Sequence, residues 1–322
     1  MNHRCHALTF ALASALGLAA AGLTGCATGG RVQLEQAQDY LAKGLTESAL
    51  QAFTLALEDN PKLTDAHMGV GDIHRQRGDY EKARVAYEEA TRLAPRSFDA
   101  HFYLGLTQQL LGRVREAVRT YLTALQINPE SFEANKNLAT AYLQLGEADK
   151  ALPYAKQAVY LDPTSQSGWA NLAATHSLLG NYDEAIEAYR QASELGDLAE
   201  PVLLGLADAH IRLGNYDRAV NVLQSLIHTQ PTVTAHERMG FAQFKLRRFD
   251  DALASFRTAL SMDPQDPASL NGLGVCLMTV YIQGGRTDPA VRDEALDAWR
   301  TSLKLRPEQP RIADLLARYQ RL

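Results

Sequence analysis

Apolar residues recur along the chain at the spacing of amphipathic helices, and the pattern itself returns every 34 residues. In one period the segment FDAHFYLGLTQQLL, which ends at Gly112, is followed by VREAVRTYLTALQI, which ends before Pro129. Each period therefore predicts a helix, a glycine turn, a second helix and a proline-bearing turn. Three series keep this step: Gly44, Gly78, Gly112, Gly146, Gly180 and Gly214; Ala49, Ala83, Ala117, Ala151, Ala185 and Ala219; and Pro61, Pro95, Pro129 and Pro163.

The residue types at fixed places of the period have mechanical reasons. A glycine after the first helix can adopt the left-handed conformation that ends it. Asp79, Asn181 and Asn215 follow that glycine, and we expect their side chains to cap the second helix. Small residues are needed where two helices cross closely, and large residues fill the gaps between periods. The small places are Gly71, Gly105, Ala139, Ala173 and Ala207, and the large ones are Tyr87, Tyr121, Tyr189 and Phe256.

The period becomes irregular towards the C terminus. Arg247 stands where the turn glycine is expected, and the step from Pro264 to Pro307 is longer than 34 residues. We expect the extra residues in the internal turn of this last period, around residues 281–289. The final segment RIADLLARYQRL predicts a capping helix that covers the last apolar surface of the array with Ile312, Leu315, Leu316 and Tyr319.

The period and its pattern resemble the tetratricopeptide repeat, and the resemblance covers nearly all of the chain after residue 30. It implies an all-α fold, a right-handed α-solenoid superhelix of about eight helix pairs over residues 31–309 and a capping helix at 310–322. A single array replaces the two domains that the length alone would suggest. We place the periods at residues 31–63, 64–97, 98–131, 132–165, 166–199, 200–232, 233–266 and 267–309.

Residues 1–25 are interpreted as a secretory signal peptide, because the apolar run at 7–23 is short for a membrane-spanning helix. The run ends in LTGC, which resembles the lipobox of bacterial lipoproteins and implies lipidation of Cys26, with 26–30 as a short linker. The alternatives are an uncleaved anchor or an ordinary signal peptide with a chance cysteine. By the same resemblance, Ala27 after the lipidated cysteine implies an outer-membrane anchor that faces the periplasm.

Composition and motifs exclude several classes of function. The net charge of −5 is too acidic for nucleic-acid binding through a broad basic surface. No Walker, GxSxG, GxGxxG or HExxH motif occurs, and the three cysteines form no CxxC pair. We therefore expect no enzyme activity, no cofactor and no metal site. Six histidines fall at the packing places 4 and 11 of their periods and are interpreted as structural: His67, His101, His236, His74, His176 and His210.

One face of the first helices is left for function. Places 2, 5, 9 and 12 share this face, which in related arrays lines a concave groove, and place 6 lies beside it. We expect a partner peptide or helix to bind there, with exposed phenylalanines as anchors. Truncating Phe102 or Phe241 is then expected to impair partner capture and leave stability almost unchanged, unless neighbouring side chains cover these rings. The predicted groove residues are Met68, Asp72, Phe102, Leu106, Lys136, Asn137, Thr140, Asn171, Asp208, Phe241, Phe244 and Asn271, and the same face includes Glu237, Val275 and Met278.

Asn137 and Asn171 resemble the asparagine ladder with which some tetratricopeptide superhelices hold a peptide backbone. Lys136 and Asn137 are also similar to a clamp for a chaperone's C-terminal carboxylate, but Thr140 departs from that pattern. The resemblances imply a non-catalytic, membrane-anchored scaffold of the bacterial envelope, as in pilus or secretin assembly. The alternative is an accessory subunit of an envelope enzyme complex, in polysaccharide export or as an adaptor of peptidoglycan hydrolases.

Overall fold

The computed structural model describes residues 30–196 and 199–320, which form seventeen helices and no strand. The predicted signal peptide and Cys26 lie outside these residues. None of the helices described combines the length and the apolar character that crossing a bilayer requires.

The described residues divide into two compact units on either side of the Leu161–Asp162 boundary. The first unit contains α1 (30–42), α2 (Thr46–Asp59), α3 (Thr64–Gln76), α4 (Tyr80–Leu93), α5 (Phe98–Leu110), α6 (Val114–Ile127), α7 (Phe132–Gln144) and α8 (Ala148–Leu161). The second contains α9 (Gln166–Leu178), α10 (Tyr182–Glu194), α11 (Glu200–Arg212), α12 (Tyr216–Thr229), α13 (Val233–Lys245), α14 (Phe249–Met262), α15 (Pro267–Gln283), α16 (Pro289–Leu305) and α17 (Pro310–Tyr319).

Each unit is built from helix pairs that pack in chain order. From α2 to α8, and again from α9 to α17, every helix packs against its neighbours in sequence. The prediction of an all-α solenoid is therefore confirmed.

The turns inside the helix pairs use the left-handed conformation that the glycine series predicts. The six series glycines, from Gly44 to Gly214, have φ between 73° and 79°. Arg247 takes the same place with φ 61°, so the seventh pair keeps this turn without a glycine. An L side chain pays a steric cost in this region of backbone space.

The predicted side-chain caps on the second helices are wrong. Asp79, Asn181 and Asn215 do occupy N-cap positions, but none of their side chains accepts a hydrogen bond from the helix that follows. Their ψ values of 56° to 71° are far from the extended value that aims a capping oxygen at the third helical N–H. Side-chain caps occur instead on first helices such as α5 and α7, where serine residues with ψ of 111° accept from the third N–H.

Large rings of the second helices pack directly on small residues of the first helices of their own pair, a contact that the expectation of rings filling the gaps between periods did not include. Tyr87 and Tyr121 are fully buried, and each lies against the glycine at the crossing place of its own pair. A Cβ atom on Gly71 would come within 2.6 Å of the Tyr87 ring, and one on Gly105 within 2.9 Å of Tyr121. Any larger residue at these two places would force the helices apart.

Place 4 of four first helices carries a nitrogen donor that reaches back to the proline before the helix. A carbonyl oxygen only accepts, so each histidine in this position carries its proton on Nε2. The pairs are His67 with Pro61 (3.0 Å), His101 with Pro95 (3.1 Å), Asn135 with Pro129 (3.0 Å) and Trp169 with Pro163 (2.9 Å). At place 11, His176 and His210 are buried, so these four histidines serve packing, as predicted.

The extra residues of the last pair lengthen its helices, and their predicted placement in the turn is largely wrong. α15 and α16 have 17 residues each, compared with 13 in α5 and 14 in α6, and the turn between them is confined to residues 284–288. Tyr281, expected in the turn, is buried in a core with Leu296 and Trp299. Burial of this aromatic side chain favours continuation of α15.

The capping helix forms as predicted. Ile312, Leu315, Leu316 and Tyr319 of α17 pack on the core of the last pair, and the rings of Tyr319 and Trp299 lie 6.1 Å apart. α17 therefore covers apolar surface that the last pair would otherwise leave in water.

Candidate partner-binding surface

The twelve predicted groove residues are all partly exposed. Met68, Asp72, Phe102, Leu106, Lys136, Asn137 and Thr140 lie on α3, α5 and α7 of the first unit. Asn171, Asp208, Phe241, Phe244 and Asn271 lie on α9, α11, α13 and α15 of the second. Met278, assigned to the same face, is only 2% exposed and belongs to the core. Its place falls in the lengthened α15, where additional packing covers it.

In the first unit Phe102 belongs to a cluster of rings. It stacks on Phe98 at 5.7 Å between ring centroids and meets Tyr103 edge-on at 5.3 Å. The ring of the buried Tyr121 is 6.1 Å away. The expectation that Phe102 packs little on its own chain is therefore wrong, because these contacts stabilise the array without a ligand.

Asp72 is held by groups of its own helix pair. The Tyr87 hydroxyl donates to Asp72 Oδ1 at 2.6 Å, and the Arg75 guanidinium lies 3.4 Å from the same oxygen. Burial raises the pKa of Tyr87, with a further contribution from its hydrogen bond to Asp72. The phenol therefore stays protonated and keeps donating, and the carboxylate is fixed in place before any partner arrives.

Amides form a connected polar strip across α5 and α7. The Tyr121 hydroxyl donates to Gln109 Oε1 at 3.0 Å and is hydrogen-bonded to Asn137. Gln109 Nε2 in turn donates to Gln144 Oε1 at 3.0 Å. Asn137 thus lies beside other side-chain amides of its own unit, on a surface that can pair with a peptide backbone.

Lys136 does not present a free ammonium to a carboxylate ligand. Its Nζ lies 2.5 Å from Glu133 and 5.0 Å from the centroid of the Phe132 ring. The chain therefore differs from the carboxylate clamp in two ways: Thr140 replaces one of the clamp residues, and Lys136 is paired with a glutamate of its own helix. The Thr140 hydroxyl donates to the Lys136 carbonyl oxygen at 3.0 Å.

In the second unit five residues of the predicted face line one pocket of about 400 Å³ between α13 and α15. Phe241 and Phe244 form part of its apolar wall, Phe256 contributes from α14, and Asn271 supplies an amide. We call this cavity the Phe241 pocket. The full lining is Glu237, Phe241, Phe244, Lys245, Phe256, Ala268, Asn271, Gly272 and Val275.

Glu237 places a shielded carboxylate in the Phe241 pocket. Its side chain is 13% exposed, and its Oε2 lies 2.6 Å from Arg238 Nη1. Arg238 also contacts Asp208 at 2.8 Å, so one guanidinium serves two carboxylates. Burial raises the pKa of Glu237, while Arg238 opposes that shift. Three carboxylates, those of Glu237, Asp208 and Asp266, therefore interact around one guanidinium that pairs with two of them.

The amide of Asn271 has a defined orientation. Gln309 Nε2 donates to the carbonyl oxygens of Ser302 at 3.1 Å and Arg306 at 2.7 Å, which fixes Gln309 Oε1 as an acceptor. Asn271 Nδ2 donates to that oxygen at 2.7 Å. Asn271 Oδ1 is consequently the remaining acceptor, and it is buried without a hydrogen-bond partner among the described residues.

Lys245 and Gly272 line the pocket but were not assigned to the site from the sequence. Lys245 lies four residues after Phe241, and its ammonium is 5.4 Å from the centroid of that ring. The i,i+4 spacing was the available signal. Gly272 lies within the packed part of α15, against Phe256. The absence of a side chain at Gly272 matters because α14 and α15 approach closely there, and residue spacing in the sequence does not predict that distance.

Comparison with known families identifies the repeats. Models of the tetratricopeptide repeat match residues 71–112, 111–166, 154–187, 176–236 and 238–279. No curated protein matches the chain.

Solved structures with a similar fold include several repeat proteins. A tetratricopeptide repeat protein from Parabacteroides merdae is 21% identical, with a TM-score of 0.55 over 78% of this chain and 99% of that one. Pseudomonas aeruginosa PilF is 22% identical, with a TM-score of 0.54 over 64% of this chain and 94% of its own. PilW, described as a type IV pilus biogenesis factor, is 22% identical, with a TM-score of 0.53 over 63% and 94%. The repeat models together cover residues 71–236 and 238–279, so this part of the chain consists of tetratricopeptide repeats.

Proposed function

We propose that the protein is a non-catalytic scaffold that binds a peptide or helix of a protein partner. The observation that carries this proposal is the Phe241 pocket, which combines three aromatic rings with a carboxylate and an amide. Such a mixture of an apolar wall and a few fixed polar groups suits one anchoring side chain of a partner. The partly exposed amide strip around Asn137 offers a second contact for an extended backbone.

Partner capture in the native host tests this proposal. Protein partners are cross-linked to the wild type in solubilised envelopes and identified by mass spectrometry. We expect Phe241→Ala with Phe244→Ala to lose the partner that the wild type enriches most. Tyr160→Ala is the matched control, because it removes an aromatic ring that is 80% exposed and outside the pocket.

Circular dichroism of each variant separates loss of binding from loss of fold. Capture at wild-type level by the folded double variant would overturn the assignment of the binding surface. Equal loss in Tyr160→Ala would show that capture reports general surface hydrophobicity.

We further propose that the chain is anchored through Cys26 to the bacterial envelope, at the outer membrane facing the periplasm. The LTGC sequence and the preceding apolar run support this proposal. Cys26→Ser is expected to abolish palmitate labelling and to move the mature chain to the soluble fraction. Wild-type protein that is soluble and unlabelled in its native host would contradict the anchor.

The envelope role that we favour is assembly of a pilus or secretin-type machine. The similarity in fold to PilF and PilW is compatible with it. Genes for secretins and pilins beside this gene would support that role. Neighbouring genes for polysaccharide export, glycosyltransferases or peptidoglycan hydrolases would favour the accessory-subunit alternative instead.

A further inference from the structure

The Phe241 pocket has the chemistry of a receptor for a long basic side chain. We infer that the partner segment bound by the second unit inserts an arginine or lysine side chain into this pocket. The inference rests on the proposed function, since it specifies which peptide chemistry that surface selects.

The charges around the pocket favour a cation at its polar end. The Asp208 and Asp266 carboxylates act on Glu237 there, and Arg238 is the guanidinium that pairs with Glu237 and Asp208. Lys245 also lines the pocket, where it is exposed and lies over Phe241. An incoming cation would complete the charge pairing of Glu237 in a shielded site, where an ionic hydrogen bond is stronger than at the surface.

The walls suit the methylene stem of such a side chain. Phe241, Phe244 and Val275 line the cavity with apolar surface, against which a lysine or arginine stem can pack. The Phe241 face already attracts the ammonium of Lys245 at 5.4 Å, which shows that this ring is presented to a cation. Because Lys245 is exposed, its long side chain can leave the ring when a ligand enters.

The amide of Asn271 adds an acceptor to the same cavity. Its orientation is fixed by Gln309, and Oδ1 is left without a partner among the described residues. A buried acceptor without a hydrogen bond is costly, and a ligand N–H that reached it would remove that cost. A guanidinium has several N–H donors in one plane and can donate hydrogen bonds to the Glu237 carboxylate and Asn271 Oδ1 together.

Two isosteric probes test the charge preference directly. n-Butylguanidinium and n-butylurea have the same shape, but only the first is cationic. Each is titrated into the purified protein, and the Asn271 side-chain amide and Val275 methyl resonances are followed by NMR. We expect saturable shifts with n-butylguanidinium and an affinity at least about tenfold higher than for n-butylurea.

Glu237→Gln is expected to reduce the affinity for n-butylguanidinium about tenfold and to leave n-butylurea unchanged. Glu133→Gln is the matched control, because it also removes an ion-paired glutamate of a first helix, in the other unit. Equal affinities for both probes, or no effect of Glu237→Gln, would overturn the inference. If partner capture nevertheless depends on Phe241 and Phe244, the proposed function stands and the pocket takes a neutral side chain. If capture ignores both phenylalanines while n-butylguanidinium binds as expected, the pocket chemistry stands and the proposed binding surface fails.

Discussion

The Phe256 ring lies against the backbone of Gly272 so closely that a Cβ atom on this glycine would be 2.3 Å from ring carbon Cε1. The same ring lies 2.9 Å from the Cβ position of Gly240. One phenylalanine on α14 therefore sets the approach of α13 and α15, the two helices that hold the Phe241 pocket.

Gly272→Ala is expected to lower the free energy of unfolding by about 1–3 kcal/mol through overpacking. In an unhindered helix the same change would stabilise by about 0.5–1 kcal/mol, so the sign itself is diagnostic. Urea unfolding of the single variants and of Gly272→Ala with Phe256→Leu forms a double-mutant cycle. Purely additive effects would show that the ring and the glycine do not constrain each other.

Phe102→Ala is expected to destabilise the protein by about 1–3 kcal/mol, because the ring makes several aromatic contacts but remains partly exposed. Tyr121→Ala removes a fully buried ring and should cost about 3–5 kcal/mol. Urea unfolding followed by circular dichroism gives both values. An unchanged midpoint for Phe102→Ala would mean that the ring cluster contributes no stability in solution.

Arg247→Gly is expected to stabilise the seventh helix pair, because the arginine has φ 61°. Relief of the left-handed conformation is worth about 1–2 kcal/mol, and the greater freedom of glycine in the unfolded chain offsets about 0.4–1 kcal/mol of it. Gly214→Arg introduces the same residue at the same place of the preceding pair, where φ is 76°, and should destabilise. Thermal unfolding measures the Tm of each variant, which should rise for Arg247→Gly and fall for Gly214→Arg. Changes in Tm of the same sign would contradict the explanation from the left-handed backbone.

Glu237 should make stability depend on pH. Its pKa is raised above the ordinary 4.5 by burial, so the folded state binds its proton more tightly than the unfolded state does. The stabilisation from that proton is complete below the unfolded pKa and is lost as the pH rises through the folded pKa. The wild type should therefore lose stability relative to Glu237→Gln as the pH increases above 4.5. Urea unfolding at a series of pH values measures this difference, and a difference that is constant with pH would refute the assignment.

Cys276 should resist alkylation while the last helix pairs are folded. It is fully buried, and burial raises the pKa of its thiol to about 11, so little nucleophilic thiolate is present or accessible near neutral pH. Peptide mapping after iodoacetamide treatment should find this residue unmodified in native protein and modified in urea. Equally rapid modification in both conditions would show that this core opens readily.

The repeat period predicted the helices, their order and the places that need small or large residues, because each depends on local spacing or residue size. It did not predict that rings such as Tyr87 pack on the glycine of their own pair. Asp79, Asn181 and Asn215 show the limit of that reasoning. They are suitable capping residues at the right positions, but the backbone in that turn points their oxygens away from the helix N–H groups.

The candidate site was predictable in part for the same reason. Face periodicity placed Phe241, Phe244 and Asn271 on one side, and the structure places them around one cavity. The face periodicity did not predict that Phe102 packs on neighbouring rings or that Met278 is buried. Phe98 and Tyr103 lie on the same helix as Phe102, so the i,i+4 spacing of the two phenylalanines was an available signal for that contact. The contact with Tyr121 depends on α6, and the burial of Met278 depends on the added length of α15.

The nitrogen donors that face the proline carbonyls have a consequence for sequence divergence and for acidic conditions. An imidazole, a carboxamide and an indole all fill the same role, so the corner between pairs is defined by one N–H group and not by one residue type. Where the donor is His67 or His101, Nε2 keeps its hydrogen in the neutral and in the charged ring alike. These corners can therefore exchange residue types over evolution, and acidification leaves their hydrogen bonds intact.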